Sequence, residues 1–446
     1  MKIAIIGTGY VGLVSGVCFA SRGHSVTCFD SRIEPISLLK DGKIPIYENG
    51  LNELLMKSKK NISFEVLSLS KEYMLLNFDV ILVAVGTPSE NGNADLSQIE
   101  SVAIMLARII KQTNKFISII LRSTVPPGTT DTLFKNIIEK NSDKSLGNFG
   151  LGMNPEFLRE GNAVDDFLKA DRIVMGHEDP DTLNILKEMY ASWNCEKIEL
   201  NSRSAEMMKY VNNTILATLI SSVNEHANIA REIGDIDFKK VMKGVYFDNR
   251  WSPLMNNQKK LFPKILDYLK PGPGYGGSCF PKDVMALSSL SKELSIPSKI
   301  IDAVIAVNEE QPKQLLKILK NKIKNLSDKS VLILGLSFKP DTDDIRESIS
   351  LKFINLLYDE VSSLAAHDPI AIENTKKSIN STIEVSYVSD WESAVLKADI
   401  IIIATNWSIY KSIDKLGISL SNKIIFDTRS LLDSCNTLNE NYLTFN

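Results

Sequence analysis

The first twelve residues, MKIAIIGTGYVG, constrain the fold more than any other part of the chain. KIAIIG (Lys2 to Gly7) is a short β-branched apolar run ending in glycine, the pattern of a parallel strand buried on both faces. TGYVGLVSGVCFASRGH follows with the small and apolar spacing of a helix, and SVTCFD then reads as a second strand. Gly7, Gly9 and Gly12 therefore form G-x-G-x-x-G between a strand and a helix. Gly7 permits the tight turn, Gly9 lets a pyrophosphate approach the backbone, and Gly12 lets helix and strand pack closely. Tyr10 and Val11 stand at the helix N-terminus, whose free amides and positive dipole end suit phosphate. Asp30 closes the second strand, where a carboxylate can accept ribose hydroxyls and would repel the extra phosphate of NADP. The expectation is a dinucleotide site favouring NAD. FAD and a mere packing turn are the alternatives.

More strands follow at DVILVAVG, FISIILRST, FGLGMNPEF and RIVMG, alternating with helical stretches. That alternation predicts a doubly wound parallel sheet. With 446 residues the chain is too long for one core. A Rossmann domain is expected over residues 1–200. From Arg203 to Gly234 no proline or internal glycine interrupts the pattern, which predicts one long helix ended by Gly234. Helices are also expected at Phe238–Lys243 and over Lys282–Val307. The helical middle should occupy 201–325 and carry a dimerisation surface. A second Rossmann-like sheet is expected over 326–446, with strand signals in KSVLILG, VSSLAAHDP, ADIIIIATNW and KIIFDTRS. The predicted fold class is thus α/β, two doubly wound parallel-sheet domains joined by a long central helix.

A net charge of −3 offers no general field for nucleic acid or anionic membrane, so any phosphate must be held locally. No apolar run reaches membrane-spanning length, and the N-terminus lacks a signal-peptide cleavage pattern, so a cytoplasmic location is expected. Five scattered cysteines and four histidines argue against a disulfide framework and a structural metal site. Cys18, Cys28, Cys195 and Cys435 read as small core hydrophobes.

Cys279 differs. It lies in GPGYGGSCFPKD, among glycines and charges, with Lys282 and Asp283 just behind it. A nearby ammonium and a helix start at Lys282 would favour thiolate. A thiolate beside NAD suggests aldehyde oxidation through a thiohemiacetal and thioester. Such a cycle also needs an oxyanion partner and a base for water. Lys209 and Asn213, one helical turn apart, share a face that is either a cleft or a solvated surface. Glu156, Glu160 and Asp283 are the candidate bases, or else surface charges and caps. Thr87 and Thr124 follow strands on the ligand-binding edge of the first sheet, or else satisfy their own turns.

GTGYVG, STVPPGTT, NPEFLREGNAVDDFL, GPGYGGSCFPKD and FKPDTDDIRES occur here in the order and spacing of the UDP-glucose 6-dehydrogenases. The chain resembles that family, a branch of the UDP-glucose/GDP-mannose dehydrogenases, along almost its whole length. The resemblance implies oxidation of C6 of UDP-glucose from alcohol to carboxylate, with two NAD and no release of aldehyde. It implies that Cys279 is the nucleophile, that Lys209 and Asn213 stabilise the oxyanion, and that Thr124 and Asp283 handle protons. Glu160 would serve thioester hydrolysis. Glu156, Phe157, Leu158, Arg159 and Glu160 would line the sugar nucleotide. So would Tyr268, Leu269, Lys270, Pro271, Gly272 and Gly276, with Lys339 reaching it from the second sheet. Thr87, Thr124, Glu160, Lys282 and Arg346 would contact NAD, and Arg250 would cross a homodimer to the substrate.

The chain departs from the family pattern at three places. Pro35 stands where a basic residue is usual, with Arg32 as the available substitute. The segment after Arg250 is longer than usual, and Asn406 replaces a commoner acid. Relatives acting on GDP-mannose lack PGPGYGG and those acting on UDP-N-acetylhexosamines tend to lack FPKD, so UDP-glucose leads over both. A two-electron hydroxyacid-type dehydrogenase would have no use for Cys279 or a second nucleotide sheet. A non-catalytic NAD-binding regulator would have no need to keep both the thiol and Lys209.

Overall fold

The computed structural model describes residues 1–90, 92–256, 259–420, 422–432 and 441–445. Cys435 lies outside the described residues. The chain divides into two compact units, Met1–Asn212 and Asn213–Asn446.

The first unit is built on an eight-stranded sheet. In sheet order its strands are Glu196–Leu200, Arg172–His177, Gly150–Met153, Ser118–Leu121, Val80–Val83, Lys2–Ile6, Ser25–Asp30 and Ile62–Val66. All neighbours pair in parallel except Gly150–Met153 with Arg172–His177. Successive residues of a strand face opposite sides, so a strand covered on both faces must be apolar throughout. Ile3, Ile5, Val80 and Leu82 accordingly enter one core, and Ala4, Ile6, Ile81 and Val83 the other. The chain leaves Lys2–Ile6 toward Ser25–Asp30 on one side and returns to Val80–Val83 on the other. This reversal is the switch point at which such sheets open a crevice. The loops at its carboxyl edge carry Gly7 and Thr87.

The second unit contains a sheet of six described strands, all parallel. Their order is Ser386–Tyr387, Ser363–His367, Ser330–Leu334, Ile400–Ile403, Ile424–Asp427 and Tyr442–Leu443. Val331, Ile333, Ile400 and Ile402 feed one core; Leu332, Leu334, Ile401 and Ile403 feed the other.

The long helix spans Ser202–Ile233 and ends at Gly234, whose φ of 78° is the left-handed geometry a glycine terminator supplies. The single helix expected over Lys282–Val307 is two helices, Phe280–Glu293 and Lys299–Lys322. Pro297 disfavours helical geometry in the residue before it and removes a donor. Ser295 turns left-handed at φ 58° to break the chain direction. Cys18 and Cys28 are fully buried, and Cys195 is half-buried at the edge of the same core, packed against it. No described helix is long and apolar enough to cross a membrane, and the described residues contain no cluster able to hold a metal ion.

Candidate active site

In the first unit the glycine turn is formed as its spacing requires. Gly7 has φ 101°, and a Cβ there would lie 2.5 Å from the Ala84 carbonyl oxygen. A Cβ on Gly12 would lie 2.0 Å from the Gly7 carbonyl oxygen. A Cβ on Gly9 would meet nothing within 4 Å. Gly7 and Gly12 are thus required by the fold itself, while Gly9 faces open space at the start of the helix Tyr10–Ser21. That helix has no acidic residue in its first turn. An open amide-lined turn followed by a carboxylate at the end of the next strand fits the diphosphate and ribose of a dinucleotide.

Asp30 is buried and accepts from Thr8 N at 2.9 Å, Thr8 Oγ1 at 2.8 Å, Arg32 N at 2.9 Å and Arg32 Nε at 3.1 Å. Burial alone would raise its pKa, but the bonds from Arg32 and Thr8 outweigh burial and hold it at about 2. Arg32 therefore sits on the Asp30 carboxylate, while Pro35 is absorbed into the first turn of the helix Ile33–Lys40. Thr87 is buried, and its hydroxyl donates to the Thr124 carbonyl at 2.8 Å, joining the loops after two neighbouring strands. It does not satisfy its own turn.

The segment Asn154–Gly161 follows the strand Gly150–Met153. Glu156 is buried, and Lys209 donates to its carbonyl at 2.7 Å and its Oε1 at 2.9 Å. Both side chains are at most 5% exposed. Burial opposes the Glu156 charge, yet Lys209 and the Leu158 amide bring its pKa below the usual carboxylate value. Lys209 is thus not on a solvated helix face. The ring of Phe157 packs under Arg172 and near Lys209, with centroid distances of 4.1 and 5.4 Å. Arg159 is exposed and forms a bidentate pair with Asp166. Glu160 is half-buried and precedes Gly161.

In the second unit Cys279 occupies the N-cap of Phe280–Glu293, two residues earlier than the helix start expected at Lys282. Pro281 falls in the first turn, where its missing donor costs nothing. The half-buried thiol stands at the positive end of the helix dipole. Asp283, one turn on, is buried and accepts from Asn213 Nδ2 and from Lys282 Nζ, each at 2.6 Å. Lys282 therefore serves Asp283.

The glycines before Cys279 make room for protein. A Cβ on Gly274, at φ 89°, would stand 2.3 Å from Asn308 Oδ1, which already accepts from Tyr275 N at 2.8 Å. On Gly276 it would be 2.5 Å from the Glu347 carbonyl oxygen, and on Gly277 2.6 Å from the Phe338 ring. Gly277 N also donates to the Arg346 carbonyl at 2.9 Å. The FKPDTDDIRES segment thus backs the cysteine loop. Gly272 differs, with nothing nearer its Cβ position than 3.9 Å. Its amide and carbonyl are held by Asn224 and Gln311, both at 2.8 Å. Tyr246 Oη holds the Leu269 carbonyl at 2.9 Å, and Lys270 pairs with Asp267. Tyr268 and Pro271 are half-buried in the same stretch. Arg346 is bidentate to Asp344, with both nitrogens at 2.8 Å. Lys339 Nζ lies 5.5 Å from the Phe338 ring centroid, and Arg250 is exposed on Asp248.

The family model for the UDP-glucose/GDP-mannose dehydrogenase family NAD binding domain matches residues 1–194. Those for the central domain and the UDP binding domain match 203–310 and 332–434. The chain belongs to the UDP-glucose/GDP-mannose dehydrogenase family. It is an oxidoreductase, and NAD is its cofactor. It is 37% identical over 439 residues to a UDP-glucose 6-dehydrogenase of Rickettsia bellii, covering 97% of this chain and 96% of the relative. The solved UDP-glucose dehydrogenase of Pyrobaculum islandicum is 33% identical, with a TM-score of 0.87 and coverage of 100% and 97%. A UDP-D-ManNAc dehydrogenase of Pyrococcus horikoshii is 25% identical, with a TM-score of 0.81 and coverage of 100% and 99%.

Three supporting residues had no local signal in this family member's sequence. Arg122 is buried and donates to Ser15 Oγ at 2.8 Å, Tyr190 Oη at 3.1 Å and Asn154, at the head of the Glu156 segment. Glu206 is fully buried and accepts from Gly128 N, Thr130 N and Thr130 Oγ1 at 2.6, 2.8 and 2.6 Å. It thereby anchors the loop that follows Thr124. Burial, only partly offset by those bonds, pushes its pKa up to about 7. Glu48 is the third.

Proposed function

We propose that the protein oxidises UDP-glucose at C6 to UDP-glucuronate through covalent capture on Cys279. NAD, when bound, accepts a hydride in each of two oxidations. In the first, the C6 hydroxyl gives up its proton to a relay of Thr124, Asp283 and water as C6 becomes an aldehyde. The Cys279 thiolate then forms a C–S bond to C6, and the carbonyl oxygen takes up the negative charge. Lys209, aided by Asn213, stabilises that oxygen. Loss of the remaining C6 hydride turns the thiohemiacetal into a thioester. Water adds to it with help from Glu160, the C–S bond breaks, and carboxylate and thiolate separate.

What carries this reading is Cys279 at a helix N-terminus, one turn from a buried Asp283 held by Asn213 and Lys282. A helix N-terminus favours thiolate, and nothing in a two-electron alcohol oxidation would require it. The segments Glu156–Glu160 and Tyr268–Gly272, with Gly276 and Lys339, take the sugar nucleotide, while Lys282 and Arg346 assist NAD. We also propose the three-part division at residues 200 and 325, and a homodimer. Val241, Val245, Phe247, Leu254 and Phe262 are exposed apolar side chains close in sequence to Arg250, which suits a subunit contact.

The test is NADH formed per UDP-glucose consumed, with limiting sugar and excess NAD. Two per sugar with UDP-glucuronate as product is the expected result, and C279A should form none of that product. One per sugar with free aldehyde would leave Cys279 structural. No NADH from UDP-glucose, but turnover of GDP-mannose or a UDP-N-acetylhexosamine, would overturn the substrate and keep the chemistry.

A further inference from the structure

Glu48 lies in IPIYENGL, a stretch with no role in the chemistry above, yet it is 8% exposed and carries a carboxylate. A buried carboxylate with no cation beside it needs several donors. Glu48 has them. Its Oε2 accepts from Gly161 N at 2.6 Å and from the Tyr10 hydroxyl. Its Oε1 accepts from Ala163 N at 2.7 Å and, at 3.4 Å, from Val164 N. The next residue, Asn49, donates from Nδ2 to the Gly161 carbonyl at 3.1 Å. Burial, and then Glu48 itself, pushes the Tyr10 phenol well above its usual range, so it remains a donor.

Two facts about these partners give the arrangement a direction. The N–H of Gly161 belongs to the peptide unit whose carbonyl is that of Glu160, so gripping it fixes the backbone orientation of Glu160. Gly161 is left-handed at φ 80°, which places the turn where few other residues would sit comfortably. Tyr10 is the first residue of the helix whose N-terminus faces the open cofactor turn. One carboxylate thus spans two places that the sequence motifs treat as separate.

We propose that Glu48 is a positioning residue: it ties the Glu160–Gly161 peptide to the phosphate-facing start of the helix Tyr10–Ser21 and so sets Glu160 for the hydrolytic step. This rests on the reading of Glu160 given above. Gln at 48 keeps the size but turns an N–H₂ toward backbone donors, so one side of the grip must open. Asp keeps the charge but retracts it by one methylene.

The experiment uses the full chain with UDP-glucose and excess NAD, quenched in acid and read by intact mass for the covalent sugar-nucleotide adduct on Cys279. Thermal melting of E48Q and E48D checks that each folds. E48Q should accumulate the adduct and lengthen its lifetime by roughly ten- to a hundred-fold, the scale of an ångström-level misplacement. E48D should do so less, and the first NADH should form at nearly the parent rate. E160Q, run in parallel, should also accumulate adduct. If E160Q accumulates adduct while folded E48Q and E48D clear it as fast as the parent, Glu48 is structural and the proposal falls alone. If E160Q clears the adduct normally, the role of Glu160 falls and the proposal with it.

Discussion

The buried pair of Lys209 and Glu156 gives the sharpest quantitative test of the first unit. At 2.9 Å, with an effective dielectric near 20, two unit charges attract by about 6 kcal/mol. Desolvating each ion costs several kcal/mol, so the intact pair contributes little net stability. Its removal by halves is another matter. K209M removes the cation bonded to the buried Glu156 carboxylate, and E156Q removes the Glu156 charge facing the buried ammonium; each should cost about 3–5 kcal/mol. In a unit of this size each kcal/mol moves the midpoint by about 2–4 °C, so a loss of about 3 kcal/mol predicts a fall of about 6–12 °C. The double variant E156Q/K209M removes both charges of the pair and should be no less stable than either single variant, giving a coupling energy of at least about 3 kcal/mol. The acid dependence has a definite sign. The folded pKa of Glu156 lies below the unfolded carboxylate value, so its stabilisation is present above that value and is lost as pH falls through the folded one. E156Q should flatten that part of the curve. Calorimetric melting of the four proteins measures the cycle. Single variants melting within 2 °C of the parent, or losses that simply add, would refute the reasoning, because neither outcome is possible for two coupled buried charges.

The glycine turn predicts opposite outcomes at neighbouring positions. G9A should melt like the parent but bind NAD at least about tenfold more weakly, since the new methyl enters only open space. G12A, with its methyl 2.0 Å from a carbonyl oxygen, should lose stability as well; equal melting of the two would refute the distinction. Glu206 has a folded pKa of about 7 against 4.5 unfolded, so the protein should lose about 3 kcal/mol as pH rises from about 4.5 to 7. E206Q should lack that slope, and identical pH profiles by thermal melting would show that Glu206 does not titrate there. G277A places a methyl against the Phe338 ring at a left-handed φ, so it should destabilise the second unit by about 2 kcal/mol. A companion F338L that does not relieve part of that loss would argue against the steric cause.

Local features of the chain were readable in proportion to how far apart their partners lie. KIAII, VILV and IIII are strands buried on both faces, and such runs carry their burial in their composition. The edge strand ISFEV is only partly buried and mixes polar with apolar residues, so it had no comparable signal and was not expected. The turn at Gly7–Gly12 is complete within a dozen residues and could be recognised from the sequence, whereas the helix behind Cys279 was expected two residues later than it begins. Glu48 meets Gly161 across 113 positions, and Glu206 meets Thr130 across 76. Nothing near either glutamate marks it out, because a buried acid and a solvated one look alike until the chain has brought the donors. The glycines of GPGYGGSC are an intermediate case. Their need for space was legible, but the occupants, Asn308, Glu347 and Phe338, were not.

The two sheets also explain why one scaffold can take a dinucleotide in its first copy and not in its second. In each, the glycine after the first strand donates its amide to the end of the second: Gly7 to Phe29 and Gly335 to His367. In each, an aspartate follows that residue and accepts from the turn: Asp30 from Thr8, and Asp368 from Leu336 and Ser337. The device is the same and both carboxylates are buried, but their outer partners differ. The outer partner of Asp30 is Arg32, whose side chain is 63% exposed and so open to exchange with solvent or ligand. Asp368 also accepts from Ile370 N, Ala371 N and the buried indole of Trp407, at 2.9, 2.8 and 3.1 Å. Those donors are backbone or core and cannot leave. GLSFKP, moreover, keeps only the first glycine of the turn, so no open amide cradle precedes the helix. Asp368 therefore braces a turn, and Asp30 braces a turn while keeping one side available to a ligand. Architecture is shared; function follows from whether the last hydrogen-bond partner of one carboxylate can be exchanged.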